Sequence, residues 1–241
     1  MFVFVVAMFL IGPTLQILEA MLSSTFTYIA GILPASAEIF NVDRGWAGTW
    51  PIFYMAWWMS WSIFVGMFIA KISKGRTFKE FILVVILIPT IFSIIWFSTL
   101  GTTGFFGNEL SNGGLLSIVN ADMASALFAL NKFIIESPII LVVMQVTGIM
   151  LVVNFFITSS DSGSLIVDGL ASGGKTIAPK GQKIFWACLE GALAIIFLVV
   201  GGANALNFIQ AILIIVAFPF CFIVFGNIFT SMYSYIKYYY K

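Results

Sequence analysis

Six long runs of apolar residues are the feature that most constrains this sequence, because each approaches the length that a bilayer requires. A helix needs about 20 apolar residues to cross the hydrocarbon core. Backbone groups in lipid must be hydrogen-bonded within the segment, so such runs predict helices rather than open strands. The predicted spans are Met1–Leu18, Trp50–Ala70, Phe81–Leu100, Pro138–Thr158, Ile184–Val200 and Leu206–Phe229. The sequence therefore predicts an all-α integral membrane protein with a single membrane domain over residues 1–241.

The composition excludes most classes of soluble protein. Apolar residues make up 61% of the chain and charged residues only 9%, whereas soluble domains carry about 25% charged residues. The net charge of +1 offers no basic surface for nucleic acid. The sequence contains no histidine, which removes Ser-His-Asp triads, His-ligated metals and histidine proton relays. We therefore expect neither an enzyme nor a bound cofactor.

The basic residues predict the orientation, because cytoplasmic loops carry an excess of Lys and Arg. Of the 11 basic residues, all but Arg44 and Lys132 fall in one alternating set of connections or in the C-terminal tail. This distribution predicts that the loops of residues 71–79 and 172–183 and the C-terminus face the cytoplasm.

The two outer connections contain more than simple loops. The segments Glu19–Gly31 and Leu115–Phe133 both mix apolar residues with small polar residues. Such a mixture is typical of amphipathic helices that lie at a membrane surface. We interpret each segment as an amphipathic helix at the outer face.

The second predicted span is an aromatic helix. Pro51 suits the first turn of a helix, and Tyr54, Trp57, Trp58 and Trp61 follow at spacings that place them on one stripe. Tryptophans near the start of a span are typical of an interfacial aromatic belt, an interpretation that fits Trp46 and Trp50. The deeper tryptophans lie 7 to 11 residues beyond Trp50, which is about 10–16 Å along a helix.

Two interpretations remain open for the deeper rings Trp57, Trp58 and Trp61. The rings either pack between helices or form a cage for a cation. Ring faces attract a quaternary ammonium ion, with roughly 2 kcal/mol per ring when the contact is desolvated. A trimethylammonium group donates no strong hydrogen bond, so aromatic rings suit it better than oxygen ligands do.

Three blocks of sequence resemble the betaine/carnitine/choline transporter family, in the order and spacing of that family. They read WPIFYMAWWMSWSIFVGMFIAKISKGRTFKE, FFITSSDSGSLIVDGLASGG and QKIFWACLEGALAIIFLVVGG. The resemblance implies a secondary active transporter that imports a quaternary ammonium osmolyte, most simply glycine betaine, by Na⁺ symport with alternating access. Met55, Ile63 and Pro51 depart from residues common in the family, and they affect the expected substrate preference more than membership.

The resemblance also implies a fold of two inverted five-helix repeats, of the leucine-transporter type. Family members have about twelve spans, and this chain matches the last six. Residues 1–18 would then end the first repeat, and residues from about 46 to 232 would form the second. On this expectation the sequence is a fragment, a truncated gene or one half of a split transporter.

A cluster of hydroxyl residues, Thr158–Ser164, ends the fourth predicted span. Hydroxyl groups in a helix often bond back to the preceding turn, and we expect this of Ser160 and Ser164. Hydroxyl oxygens inside a membrane also supply ligands to Na⁺. The resemblance implies this second role for Thr158 and Ser159.

The resemblance implies further site residues. The Phe155 carbonyl would complete the sodium ligands on this side, and Phe64 would contribute to a second sodium site. Trp58 would form a wall of the substrate cage, with Trp57 and Trp61 lining the pathway.

Glu190 is an acidic residue well inside a predicted span. An acid in that position is a functional hypothesis by default, but the neighbouring Gly191 favours a hydrogen-bonded packing role.

Two alternative functions stay open. One is a proton-coupled or exchange-type choline or carnitine transporter. The other is an inactive or split membrane fragment that needs a separate N-terminal half. The expected partners are a quaternary ammonium solute, Na⁺, the lipid bilayer and, as in family members, two further copies in a homotrimer. The expected location is a bacterial plasma membrane with the C-terminus in the cytoplasm.

Overall fold

The computed structural model describes residues 1–37, 50–173, 179–202 and 205–239, and these ranges contain no strand. Four residues that bear on the predicted aromatic belt and orientation lie outside these ranges: Trp46, Arg44, Lys175 and Lys241. The helices within these ranges are α1 (Phe2–Ile11), α2 (Thr14–Ala37), α3 (Pro51–Ile72), α4 (Phe78–Leu110), α5 (Gly114–Ala121), α6 (Ala126–Ile134), α7 (Pro138–Ala171), α8 (Lys180–Gly201) and α9 (Ala205–Tyr239). The predicted all-α class is confirmed.

Six helices of the described ranges are long and apolar enough to cross a membrane, which is the predicted number. They are α2, α3, α4, α7, α8 and α9. Five of the six correspond to predicted runs, and each of these five continues past the predicted C-terminal end. α7, for example, continues to Ala171, beyond the predicted end at Thr158. The protein is therefore a multi-pass membrane protein.

The prediction of a single helix over Met1–Leu18 is wrong, because the helix is interrupted at Gly12 and Pro13. Gly12 adopts an extended conformation with φ −75° and ψ −176°. A proline disfavours the helical conformation in the residue before it, so α1 ends at Ile11 and α2 begins at Thr14, after Gly12 and Pro13. With 10 residues, α1 is too short to cross the hydrocarbon core. The predicted outer helix Glu19–Gly31 is helical, but it is a part of the longer α2.

The second predicted outer helix, Leu115–Phe133, is helical but interrupted. α5 ends at Ala121, and the Asp122 carboxylate accepts a hydrogen bond from the N–H of Ala124 at 3.1 Å. A single 3₁₀ turn then leads into α6. An Asp in this position caps the new helix start, which explains why the segment forms two short helices.

The described helices group into two compact units. The first unit comprises Met1–Ile32 and Gly75–Ile157, and it contains an apolar core. Residues from α1, α5, α6 and α7, and the C-cap residue of α6, are buried together in that core: Phe4, Met8, Leu115, Ala129, Leu130, Ile135, Met144 and Leu151.

The second unit comprises Leu33–Lys74 and Thr158–Lys241. Within it, α3 and α8 both pack along α9. Its interior differs from that of the first unit, because polar residues dominate among its buried side chains. The buried residues in its described part are Ser60, Ser164, Asp168, Ile166 and Ala217. Buried polar groups require hydrogen-bond partners, so the polar side chains of this interior mark it as a candidate functional site.

Candidate functional site

The start of α3 packs its aromatic rings against one another. Pro51 occupies the first turn, as predicted. The Trp50 ring stacks on Tyr54 with ring centroids 6.0 Å apart, and Phe53 meets Trp57 edge-on at 5.4 Å. Such offset and edge-on pairs are favourable arrangements of aromatic rings. Trp57 is therefore engaged, at least on one side, by a ring of its own helix.

A hollow of about 270 Å³ lies between α3 and α7 in the second unit. Its lining residues are Trp61, Phe64, Val65, Phe68, Thr158, Ser159, Ser162 and Gly163. One wall is thus aromatic and comes from α3, whereas the opposite wall carries hydroxyl groups and comes from α7. The structure brings four of the seven predicted site residues to this space: Trp61, Phe64, Thr158 and Ser159.

The other three predicted site residues do not line this hollow. Trp57 and Trp58 precede it on α3, and Trp58 is 70% exposed. Phe155 belongs to the first compact unit. The roles that the resemblance implies for these three residues stay predictions.

The sequence interpretation missed Val65, Phe68 and Gly163 as lining residues. The signal for the first two was present, because Trp61, Val65 and Phe68 follow a spacing of i, i+4 and i+7 that marks one helical face. Gly163 has no side chain and could be recognised only once α7 lay beside α3.

One face of the hydroxyl segment points to the hollow. Thr158, Ser159 and Ser162 all line it. The Ser162 hydroxyl also donates to the carbonyl of Thr158 at 2.7 Å, which is the bond to the preceding turn that such residues commonly form. The hollow therefore faces hydroxyl oxygens and a helical turn in which the Thr158 carbonyl already accepts a side-chain hydrogen bond.

The other face of the hydroxyl segment contacts α8. Ser160 and Ser164 donate to the same oxygen, Oε2 of Glu190, at 2.9 and 3.2 Å. The prediction that these two serines bond to the preceding turn is wrong, because an acceptor on a neighbouring helix competes successfully for both hydroxyls. Glu190 is thus hydrogen-bonded to a neighbouring helix, as predicted.

A larger cavity of about 420 Å³ adjoins the hollow and shares Trp61, Phe64 and Gly163 with it. Glu190 lines this cavity among mainly apolar and aromatic residues of α3, α7, α8 and α9. The indole nitrogens of Trp61 and Trp186, both on its wall, are buried and make no hydrogen bond with any described atom. The lining residues include no Lys or Arg, so Glu190 is the charged group of this wall.

A third and wider space of about 710 Å³ continues from the hollow along α7 and α8. It shares Phe68, Thr158 and Ser162 with the hollow, and it adds the charged residues Asp161 and Lys183. The predicted topology puts this end of α7 on the cytoplasmic side. The residues that line the spaces around the hydroxyl segment thus change from mainly aromatic in the hollow to partly charged in the third space.

The arrangement suits the binding of cations. Aromatic faces attract organic cations, and hydroxyl and carbonyl oxygens are the ligands that small hard cations take in membrane proteins. No basic side chain lines the hollow itself, so the described wall carries no charge that would repel a cation.

Comparison with known proteins identifies relatives of the chain. A model of the betaine/carnitine/choline family transporters matches residues 1–239. The chain is 42% identical over 206 residues to a glycine betaine/proline/choline/ectoine transporter of Vibrio parahaemolyticus, a match that covers 85% of this chain and 36% of the relative. It is 40% identical over 203 residues to glycine betaine transporter 1 of the same organism, covering 83% and 38%. A glycine betaine transporter of Acinetobacter baylyi is 40% identical over 216 residues, covering 89% and 32%. The chain spans about a third of the length of these relatives.

Proposed function

The chain belongs to the betaine/carnitine/choline transporter family, and on that premise we propose that it takes part in secondary active import of a quaternary ammonium osmolyte. Glycine betaine is the proposed substrate, and Na⁺ is the proposed coupling ion. The observation that carries the proposal is the hollow, in which Trp61 and Phe64 face the hydroxyl residues Thr158 and Ser159.

The aromatic wall supplies the selectivity for the organic cation. A trimethylammonium group is bulky and donates no strong hydrogen bond, so ring faces bind it through their negative quadrupole. Trp61 lines both the hollow and the adjoining cavity, which is the position of a pathway residue. Trp57 and Trp58 lie one turn earlier on the same helix, and we assign them to the cage on the strength of the family resemblance.

The hydroxyl wall suits a small ion. Thr158 and Ser159 would offer hydroxyl oxygens to Na⁺, with the Phe155 carbonyl as a further ligand and Phe64 beside a second ion. Na⁺ binding would stabilise one conformation of the transporter, and the solute would bias that conformation further. This differential binding is the energetic basis of alternating access between the two sides of the membrane.

The proposed setting is a bacterial plasma membrane, with the C-terminus in the cytoplasm. The charge distribution supports this orientation, since only 2 of the 11 basic residues fall in the outer connections. A homotrimer stays a family-based proposal.

Uptake of radiolabelled glycine betaine tests the proposal directly. The transporter is expressed from its full reading frame in cells without osmolyte uptake of their own, with Na⁺ or K⁺ in the medium. Uptake should require Na⁺. Trp61→Leu should raise the half-saturating betaine concentration roughly 30-fold, because a desolvated cation–ring contact is worth about 2 kcal/mol. Trp50→Leu, at the start of α3, is the matched control and should behave like the unsubstituted protein.

Three outcomes would contradict parts of this proposal. Uptake that follows a proton gradient without Na⁺ would replace it by the proton-coupled alternative. Wild-type betaine affinity in Trp61→Leu would remove the aromatic cage. No uptake of betaine, choline or carnitine from the full reading frame would favour the inactive or split fragment.

A further inference from the structure

We propose that Glu190 is a positioning residue for the ion-binding face of α7, an inference that rests on the proposed sodium symport. Its carboxylate would hold the hydroxyl segment Thr158–Ser164 in the rotation that turns Thr158 and Ser159 toward the hollow. Glu190 itself would not bind the transported ion.

The contact geometry supports a fixed rotation of α7. One carboxylate oxygen on α8 accepts from Ser160 at 2.9 Å and from Ser164 at 3.2 Å. The two serines are four residues apart, so they lie one above the other on a single helical face. Two hydroxyl groups that donate to one oxygen restrict the rotation of α7 more than a single hydroxyl would. The helix cannot rotate about its axis without lengthening at least one of the two bonds.

The division of hydroxyl groups between two faces gives this constraint its consequence. Successive residues of an α-helix are separated by about 100° around the axis. Ser160 therefore points roughly 100° away from Ser159. If Ser160 and Ser164 are held against α8, Ser159 and Thr158 point to the hollow between α3 and α7. A turn of α7 by one residue position would put Ile157 in the place of Thr158 in one direction and Ser160 in the place of Ser159 in the other.

The acceptor that Ser160 and Ser164 use indicates more than incidental packing of α7 against α8. Ser162 bonds to the backbone of the preceding turn, and Ser160 and Ser164 have the same local option. They bond to Glu190 instead, 30 and 26 residues away in the sequence. Hydrogen bonds to an ionised acceptor are stronger than those to a neutral carbonyl. Loss of the carboxylate would release both serines to bond to α7 itself, which tends to bend a helix.

Gly163 lies beside Glu190 on the wall of the hollow. A Cβ atom built on Gly163 would lie 3.9 Å from Oε1 of Glu190, the second carboxylate oxygen. Gly163 also lines both the hollow and the adjoining cavity.

The experiment measures the half-saturating Na⁺ concentration for betaine uptake in variants expressed from the full reading frame, with the amount of protein in the membrane measured in parallel. Glu190→Ala should raise this concentration about tenfold, the factor that corresponds to the loss of one charge-assisted hydrogen bond. Half-saturation by betaine at saturating Na⁺ should stay unchanged. Glu190→Gln should raise the half-saturating Na⁺ concentration less than Glu190→Ala does, because its amide oxygen still accepts hydrogen bonds from the serines but without the added strength of a charged acceptor.

Two further variants keep the test decisive. The double variant Ser160→Ala with Ser164→Ala removes the donors and leaves the carboxylate. It should raise the half-saturating Na⁺ concentration as Glu190→Ala does, and it keeps the test valid if Glu190→Ala folds poorly. Glu109→Ala at the end of α4 is the control for removal of an acidic residue and should leave the Na⁺ dependence unchanged.

The contradicting outcomes are distinct. An unchanged Na⁺ requirement in Glu190→Ala and in the double serine variant would overturn the positioning role while leaving sodium symport intact. A shift in Glu190→Gln as large as in Glu190→Ala would overturn it as well, since an acceptor for the two serines at residue 190 would then make no difference. Uptake by the unsubstituted protein that is independent of Na⁺ would instead overturn the symport and the positioning role together.

Discussion

The break between α1 and α2 offers a substitution whose cost can be worked out from the structure, Gly12→Ala. A Cβ atom at residue 12 would lie 2.6 Å from Oγ1 of Thr103 and 2.8 Å from the carbonyl oxygen of Met8. The backbone at Gly12 has φ −75°, which alanine adopts readily. The expected penalty is therefore steric, and it does not include a penalty for an unfavourable backbone conformation.

Neither of the two neighbours can move away freely. Thr103 is fully buried, and its hydroxyl donates to the carbonyl of Thr99 at 2.6 Å. The carbonyl of Met8 is part of the backbone and accepts the N–H of Gly12 at 2.9 Å. Overpacking of this kind costs about 1–3 kcal/mol. The reduced entropy of the unfolded chain returns only about 0.4–1 kcal/mol.

The assay is the apparent melting temperature of the purified protein in one detergent. For a chain of this size about 2–4 °C corresponds to 1 kcal/mol, so Gly12→Ala should melt several degrees lower than the unsubstituted protein. Gly104→Ala is the matched control, because nothing lies within 4 Å of its Cβ position and alanine favours a helix over glycine by up to about 1 kcal/mol. It should melt at the same temperature or higher.

A second substitution tests the cause. Thr103→Ala removes the clashing hydroxyl, so in the Gly12→Ala background it should cost less than it does alone, as contacting residues are coupled. Equal melting temperatures for Gly12→Ala and Gly104→Ala, or strictly additive effects in the double variant, would refute the close approach of Gly12 to α4.

Two further predictions concern orientation and helix ends. In a background without the native cysteines, Asn112→Cys should react with an impermeant maleimide in intact cells, and Lys74→Cys only after permeabilisation; the reverse pattern would invert the proposed topology. Thr77 accepts the Glu80 N–H at 3.3 Å and its own N–H is bonded by the Glu80 carboxylate at 2.9 Å, so Thr77→Ala should speed amide hydrogen exchange in the first turn of α4. Unchanged exchange there would show that this capping box does not hold the turn.

The sequence alone determined the features that depend on local chemistry and on the solvent. Long apolar runs required helices, because lipid offers no partner to a backbone N–H or C=O. Pro51 marked the start of α3, and helical spacing placed Tyr54, Trp57, Trp58 and Trp61 on one stripe of it. The interruption of Met1–Leu18 is also a local effect, because Pro13 disfavours the helical conformation at Gly12 whatever the hydropathy of the run.

Only the tertiary structure decided which hydroxyl groups face which neighbour. Thr158, Ser159, Ser160 and Ser164 are chemically alike in the sequence, and helical spacing states their relative directions but not which helix lies opposite. That depends on α3 and α8 reaching the two sides of α7, and it brings Glu190 to Ser160 across 30 residues. A hydroxyl takes the strongest acceptor within its reach. The set of groups within reach is a property of how the helices pack, and no single segment of sequence contains it.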